Sequence, residues 1–301
     1  MKAAVLVGPT ASGKTDLALG LAGDIFEIIS ADSVQVYRRL DIGSGKPSRA
    51  QREAVRHHLI DIVDPDRKFT AGDFCREAQL AAQDIEGRGK VPLFVGGTGL
   101  YIDSFFGGLS GIPPVDPLVN AAVKDELERR GPADLYAELG RVDPAFALRI
   151  HPNDRQRIAR GLEVYRSTGR PLSDYFGEKR GAVSEETVFI GLNPSREDLR
   201  GRIERRFDRM MDEGFLDEVR SLRESGYGPE LGSMRSIGYR ELNLHLDGKL
   251  SLAEAVQAAK LETKHYAKRQ MTWLRRNGRI TWFEDFRVEK IEKLLYTCWV
   301  S

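Results

Sequence analysis

The clearest chemistry in this sequence lies in eight residues near its start. Gly8-Pro9-Thr10-Ala11-Ser12-Gly13-Lys14-Thr15 has the spacing G-x-x-x-x-G-K-T, in which the glycines let backbone N–H groups turn inward around phosphate oxygens. Lys14 brings a positive charge to the terminal phosphate, and Thr15 offers a hydroxyl to Mg²⁺. A helix opening at this point would aim its positive end at the same anion. The pattern reads as a phosphate or diphosphate site, with a nucleotide as the default occupant. A second candidate is Asp32, which follows the run Ile28-Ile29-Ser30-Ala31. Phosphate-loop hydrolases and kinases usually keep an Asp at the end of a second strand to organise Mg²⁺. Asp32 therefore reads as a metal organiser, as a base, or as the cap of a turn. The other strong apolar run ends in Gly96-Gly97-Thr98-Gly99, with no acid. His57-His58 invites a metal reading, but a strand sends adjacent side chains to opposite faces, so one shared ion is not expected. Cys75 and Cys298 are far apart and form no CxxC pair, which argues against a zinc site or a disulfide framework.

These groups need elements that hold them at one edge. Short apolar runs at 3–7, 27–30 and 91–95 read as buried strands, and 14–22 as a helix. Residues 70–87 read as a helix capped by Thr70, with Phe74, Ala78, Ala81, Ala82 and Ile85 on one side. Strands alternating with helices predict an α/β protein with a P-loop NTPase-like parallel sheet core and a site at the carboxyl ends of the strands. The glycine- and proline-rich stretch 107–114 reads as a linker. Beyond it the pattern is helical and charged until a strand-like run at 187–192. We expect a core formed by 1–111 and 186–301, a helical insertion at 112–185, and a helical C-terminal region. Ser195-Arg196-Glu197-Asp198 fits a capping box. The tail after Trp282 shows no motif.

The 301 residues are 41% hydrophobic and 30% charged, enough for an ordinary core, and no apolar run approaches the roughly 18 residues of a membrane span. The short apolar start has no signal-peptide pattern, so a cytoplasmic location is expected, with no membrane and no obligate protein partner evident. Net charge is only +1, but cations cluster in two places. One is Arg149, Arg155, Arg157, Arg160, Arg166 and Arg170. The other is Lys260, Lys264, Lys268, Arg269, Arg275, Arg276 and Arg279. They read either as a local polyanion footprint or as two solvated helix faces. Tyr266, Trp273 and Trp282 read as core aromatics before base-stacking ones.

Further segments line up with the phosphate loop. Ser30-Ala31-Asp32-Ser33-Val34-Gln35-Val36-Tyr37 is followed by Asp41-Ile42-Gly43-Ser44-Gly45-Lys46-Pro47 and His57-His58-Leu59-Ile60-Asp61. Then come Gly96-Gly97-Thr98-Gly99-Leu100-Tyr101 and Asn153-Asp154-Arg155-Gln156-Arg157-Ile158-Ala159-Arg160. Ile237-Gly238-Tyr239-Arg240-Glu241 and Tyr266-Ala267-Lys268-Arg269-Gln270-Met271-Thr272-Trp273 complete the series. Each segment is short, but the ordered set covers most of the chain and resembles the tRNA dimethylallyltransferase family.

The resemblance implies transfer of a five-carbon group from dimethylallyl diphosphate to N6 of the adenosine 3′ of the anticodon. The tRNAs are those reading codons beginning with U, and Mg²⁺ assists. It implies Asp32 as the base, Thr98 beside the channel where the two substrates meet, and Arg206 near the diphosphate. It implies tRNA contacts from Asp32, Ser33, Val34 and Gln35 and from Gln156, Arg157, Ile158, Ala159 and Arg160, so that the anticodon stem-loop is the expected partner. Many members carry a tRNA-contacting arginine where this chain has Asn120, and Lys124 is the nearby cation that would replace it. Arg206 also reads as a plain surface charge of a helix. An adenylate prenyltransferase or a nucleotide kinase would share the loop and Asp32 without needing a tRNA platform. A non-catalytic P-loop module would leave Asp32 and Gly96–Gly99 unexplained.

Overall fold

Ala3-Ala4-Val5-Leu6-Val7 has no polar side chain, the pattern of a strand covered on both faces. All five residues are fully buried in the computed structural model, which describes residues 1–23, 25–176, 179–180, 186–284 and 287–300. The chain divides into two compact units, Met1–Phe105 with Val183–Ser301, and Phe106–Ala182. The first pass through the larger unit gives β1 (Ala3–Val7), α1 (Lys14–Leu21), β2 (Phe26–Ser30), α2 (Arg49–Ala54), β3 (His57–His58), α3 (Ala71–Gly87), β4 (Val91–Gly96) and α4 (Gly99–Gly107). The inserted unit holds β5 (Leu109–Ser110), α5 (Pro117–Val142), α6 (Pro144–Ala147), α7 (Arg155–Thr168) and β6 (Lys179–Arg180). The return gives β7 (Thr187–Leu192), α8 (Arg196–Asp212), α9 (Phe215–Glu224), α10 (Tyr239–Leu246), α11 (Leu252–Leu274), β8 (Ile280–Phe283) and α12 (Val288–Val300).

Six strands form one sheet in the order β3-β2-β4-β1-β7-β8, and every neighbouring pair is parallel. Register aligns the strand ends, since Val7 pairs with Gly96 and Ser30 pairs with Val95. The phosphate loop, Asp32 and the Gly97 loop therefore all leave the sheet at the same carboxyl edge, where α/β sites form. Helix α3 is capped by Thr70, whose hydroxyl accepts from the Asp73 N–H, and buries Phe74, Ala78, Ala81, Ala82 and Ile85. At Ser195 the expected capping box is only half formed. The Ser195 oxygen accepts from the Asp198 N–H, but the Asp198 carboxylate takes the Ser195 hydroxyl proton rather than its backbone N–H.

The C-terminal tail is part of the core. After β8 completes the sheet edge, α12 buries Ile291 and Leu295 in a cluster with Leu21, Phe26 and Val188. The inserted unit has its own core, built from Leu127, Leu135, Leu139, Ile158 and Leu162. Its longest helix, α5, breaks at Gly131, where φ is +80°, just before Pro132. No helix among the described residues is long and apolar enough to cross a membrane.

Of the histidine pair, His58 belongs to a buried charge cluster, while His57 hydrogen-bonds to the Val55 carbonyl oxygen. Glu27 is 3% exposed, and its carboxylate accepts from Arg88 Nε (3.0 Å), Arg88 Nη2 (2.7 Å) and His58 Nε2 (2.9 Å). Burial pushes its pKa up, but the Arg88 fork and His58 outweigh burial and hold it down to about 2. A carboxyl held below its ordinary 4.5 stabilises the fold above that pH and loses the contribution as pH falls toward about 2. Glu27→Gln is expected to cost about 3 kcal/mol at neutral pH, the usual effect of breaking one side of a buried pair. In urea unfolding the gap from wild type should narrow below pH 4.5. A gap that stayed constant with pH would mean that Glu27 is not held ionised.

Candidate active site

The phosphate loop spans the turn between β1 and α1, as the glycine spacing requires. Gly13 sits at φ +94° at the helix N-terminus, and Ala11 adopts φ +61°, a left-handed conformation that costs an alanine about 1 kcal/mol. Lys14 Nζ donates back to the Gly8 (2.9 Å) and Pro9 (2.7 Å) carbonyls. Burial, then the nearby charge of Arg206, brings its pKa down to about 7, with Asp32 pulling weakly the other way. Ser12 Oγ is buried without a hydrogen-bond partner among the described residues. These features suit an anion that supplies negative charge and acceptor oxygens.

Helix α8 closes one side. Arg202, Arg205, Arg206 and Arg209 recur on one face and line a cavity of about 770 Å³ together with residues 11–16. Arg202 Nη1 donates to the Ser12 carbonyl (3.3 Å), and Arg206 donates to Thr10 Oγ1 and the Ser44 carbonyl (both 3.4 Å). Arg206 is thus no plain surface charge. Burial lowers its pKa from the ordinary value, partly offset by Asp32.

A second cavity of about 340 Å³ adjoins the first. Ala11, Arg206 and Met210 line both. Its walls carry Asp32, Ser33 and Val34 from the loop after β2, with Phe207, Ile237 and Tyr266 opposite. Asp32 does cap a turn, since its Oδ1 accepts from the Val34 (2.8 Å) and Gln35 (3.2 Å) N–H groups. Its Oδ2 takes no hydrogen bond among the described residues, so the turn cap and a role as base are compatible. Thr98 Oγ1 accepts from the Ser33 N–H (3.2 Å), which fixes the start of that loop. Gln35 faces inward, with its amide held between Ser30 Oγ (2.9 Å) and the Gly45 carbonyl (3.3 Å).

The inserted unit corrects several expectations. Ile158 and Ala159 are buried among Leu139, Phe146 and Leu162, because helical spacing turns them to the core, so their side chains are not RNA contacts. Gln156, Arg157 and Arg160 are exposed on the other face of α7. Asn120 donates to Glu163 Oε1 (2.6 Å) within the unit, leaving Lys124 exposed nearby. The two basic clusters are also smaller than the sequence implied. Arg166 is gripped by Glu126 (2.9 Å) and Glu138 (2.6 Å), Lys260 by Asp208 (2.5 Å) and Lys264 by Glu204 (2.6 Å). Trp273 donates Nε1 to Asp103 (2.6 Å), and Trp282 lies within β8. Tyr266 instead lines the smaller cavity, where burial, then the charge of Asp32, pushes its pKa up to about 12. Gln270, Arg235 and Ser236 were given no role from sequence, although Gln270 lies in a motif that carried the resemblance. Among the described residues no three His, Cys, Asp or Glu cluster as a metal cage.

Fold and site together define a P-loop α/β enzyme whose phosphate-loop cavity adjoins a second cavity lined by both polar and apolar side chains, an arrangement fitted to group transfer. Residues 35–277 match the family described as IPP transferase, and the chain belongs to that family. It is 48% identical over 286 residues to tRNA dimethylallyltransferase 2 of Geotalea uraniireducens, covering 94% of this chain and 92% of the relative. It is 46% identical to the tRNA dimethylallyltransferase of Geobacter sulfurreducens, again over 94% and 92%. Among solved structures, the full-length tRNA isopentenylpyrophosphate transferase of Bacillus halodurans matches with a TM-score of 0.72 at 36% identity, covering 99% of this chain and 97% of that one. A eukaryotic dimethylallyltransferase acting on tRNA matches with a TM-score of 0.79 at 32% identity, over 94% and 73%.

Proposed function

We propose that this chain transfers a dimethylallyl group from dimethylallyl diphosphate to N6 of the adenosine immediately 3′ of the anticodon, in tRNAs reading codons beginning with U. The observation that carries the reading is the junction at Ala11, Arg206 and Met210, where the phosphate cavity meets the cavity of Asp32. A diphosphate on the loop would direct its allylic carbon through that junction toward an amine beside Asp32. The N6–C1 bond forms as the C1–O bond breaks. The N6 proton passes to Asp32 Oδ2, and diphosphate leaves with its charge met by Lys14, Arg206 and the loop amides. An exocyclic adenine amine is a poor nucleophile, so loss of its proton to a base is where help is needed.

Mg²⁺ fits the donor set. Beside a diphosphate this ion takes one or two protein oxygens and keeps several waters. The Thr15 hydroxyl lines the phosphate cavity and makes no hydrogen bond among the described residues, so it would hold the ion. When bound, the ion would add positive charge against the leaving group. The location follows the substrate, in the cytoplasm.

The reading is tested by incubating the protein with labelled dimethylallyl diphosphate and either unmodified tRNA or AMP. Label should enter tRNA alone. Label on AMP would favour the free-nucleotide alternative, and label on neither would end the proposal. The exposed face of α7 should bind the anticodon stem-loop through phosphates. Arg157 and Arg160 changed together to Ala should raise the apparent KM for tRNA by on the order of 10-fold and reduce its log–log salt slope by about 2. The KM for dimethylallyl diphosphate should hold. Unchanged tRNA affinity and salt slope would exclude α7 as an RNA contact.

A further inference from the structure

Gln270 has a position that the reaction as described does not explain. It is 7% exposed near the C-terminal end of α11, and both ends of its amide are engaged. Its Oε1 accepts from the Thr10 N–H (2.8 Å) in the phosphate loop, and its Nε2 donates to the Gly97 carbonyl (2.9 Å) in the loop after β4. The partners fix the amide's orientation, because Thr10 N–H can only donate and the Gly97 carbonyl can only accept. The approach is so close that a Cβ on residue 97 would collide with Nε2, so any other residue there would displace the Gln270 amide.

Each loop then leads to one half of the chemistry. Thr10 carries Arg206 on its hydroxyl, beside the diphosphate cradle. Gly97 is followed by Thr98, which holds the Ser33 N–H next to Asp32, and Tyr266, one turn before Gln270 on α11, lies close to both Thr98 and Gln270. One side chain thus ties the segment that holds the leaving group to the segment that holds the base.

We propose that Gln270 is a positioning residue that sets the separation between the leaving diphosphate and Asp32 by locking the phosphate loop to the Gly97 loop. The inference rests on the function proposed above. The role needs one donor and one acceptor at fixed spacing. Asn is a methylene too short, Met fills the volume with neither group, and Glu supplies both only when protonated.

The test compares Gln270→Met and Gln270→Glu with the wild type in steady-state transfer to tRNA, with inorganic diphosphate binding and thermal midpoints measured alongside. For Gln270→Met, kcat should fall by on the order of 10²-fold, the effect of a misplacement of about 1 Å, while diphosphate affinity moves by less than about threefold. For Gln270→Glu, the ratio of its kcat to wild type should rise as pH is lowered from about 8 to about 6, because a buried carboxyl titrates above its ordinary range and its acid form restores both hydrogen bonds. The Met ratio should stay flat over the same range. A Met variant within twofold of wild-type kcat per folded molecule would overturn the inference, even with a lowered thermal midpoint. If the Met variant fails to fold, the Glu ratio decides, and a flat ratio overturns the inference. Wild-type protein that binds diphosphate but never prenylates tRNA would instead sink the function on which it rests.

Discussion

Asp32→Asn is expected to lower transfer to tRNA by roughly 10²–10⁴-fold, the range associated with a general base. The structure makes this substitution a clean one. The Asp32 Oδ1 holds the Val34 and Gln35 N–H groups, and an Asn oxygen can do the same, so the turn should survive. What is lost is the second oxygen and its ability to take a proton. The change has one side effect. Asp32 raises the pKa of Lys14, so its removal favours neutral Lys14. Donor affinity should therefore be compared well below pH 7, which favours charged Lys14 in both proteins. Unaltered donor affinity there, with turnover lost, supports the base. Lost affinity restored by excess Mg²⁺ would make Asp32 a metal organiser instead, and near-normal turnover would remove it from the mechanism.

Lys14→Ala should cost roughly 10²–10³-fold in kcat, since the departing diphosphate loses a preorganised charge partner. It should also remove a pH dependence. In the free protein burial and Arg206 hold Lys14 at about 7, whereas a bound diphosphate favours the ammonium form and raises that value. Binding is then accompanied by proton uptake. Affinity for dimethylallyl diphosphate should be greatest below about pH 7 and decline as pH rises through the range between the free and bound values. Titration calorimetry in two buffers of different ionisation enthalpy should show proton uptake near pH 8 for wild type and less for Lys14→Ala. Equal uptake in the two proteins would assign the proton to another group.

Local signals that act over a few residues survived into three dimensions almost unchanged. The strand at Ala3–Val7, the strand at Thr187–Leu192 and the helix capped by Thr70 lie where apolar runs, period and capping chemistry put them. The phosphate loop is equally local, because glycine spacing and a following helix suffice to build it. Nothing near the histidine pair in sequence pointed to Glu27 as the partner of His58.

Where sequence reading failed, partners came from distant segments. Counting cations between 251 and 279 could not reveal that Asp208 and Glu204, on another helix, neutralise Lys260 and Lys264. Ile158 and Ala159 belong to a motif that reads as one surface, yet a helix turns about 100° per residue and carries them inside. The tail after Trp282 lacked any motif because its contribution is burial of Ile291 and Leu295 against strands elsewhere in the chain.

The sequence was enough to predict the phosphate-loop conformation at a strand–helix turn, since that loop is made of backbone amides whose geometry is set by eight consecutive residues. The neighbours of the cradle come from tertiary packing alone. The parallel register brings the ends of β1, β2 and β4 to one edge, and α8 and α11, which follow all three strands in the chain, supply Arg206 and Gln270. A site assembled from loops of different strands is a property of sheet order and helix packing, and no window of sequence contains it.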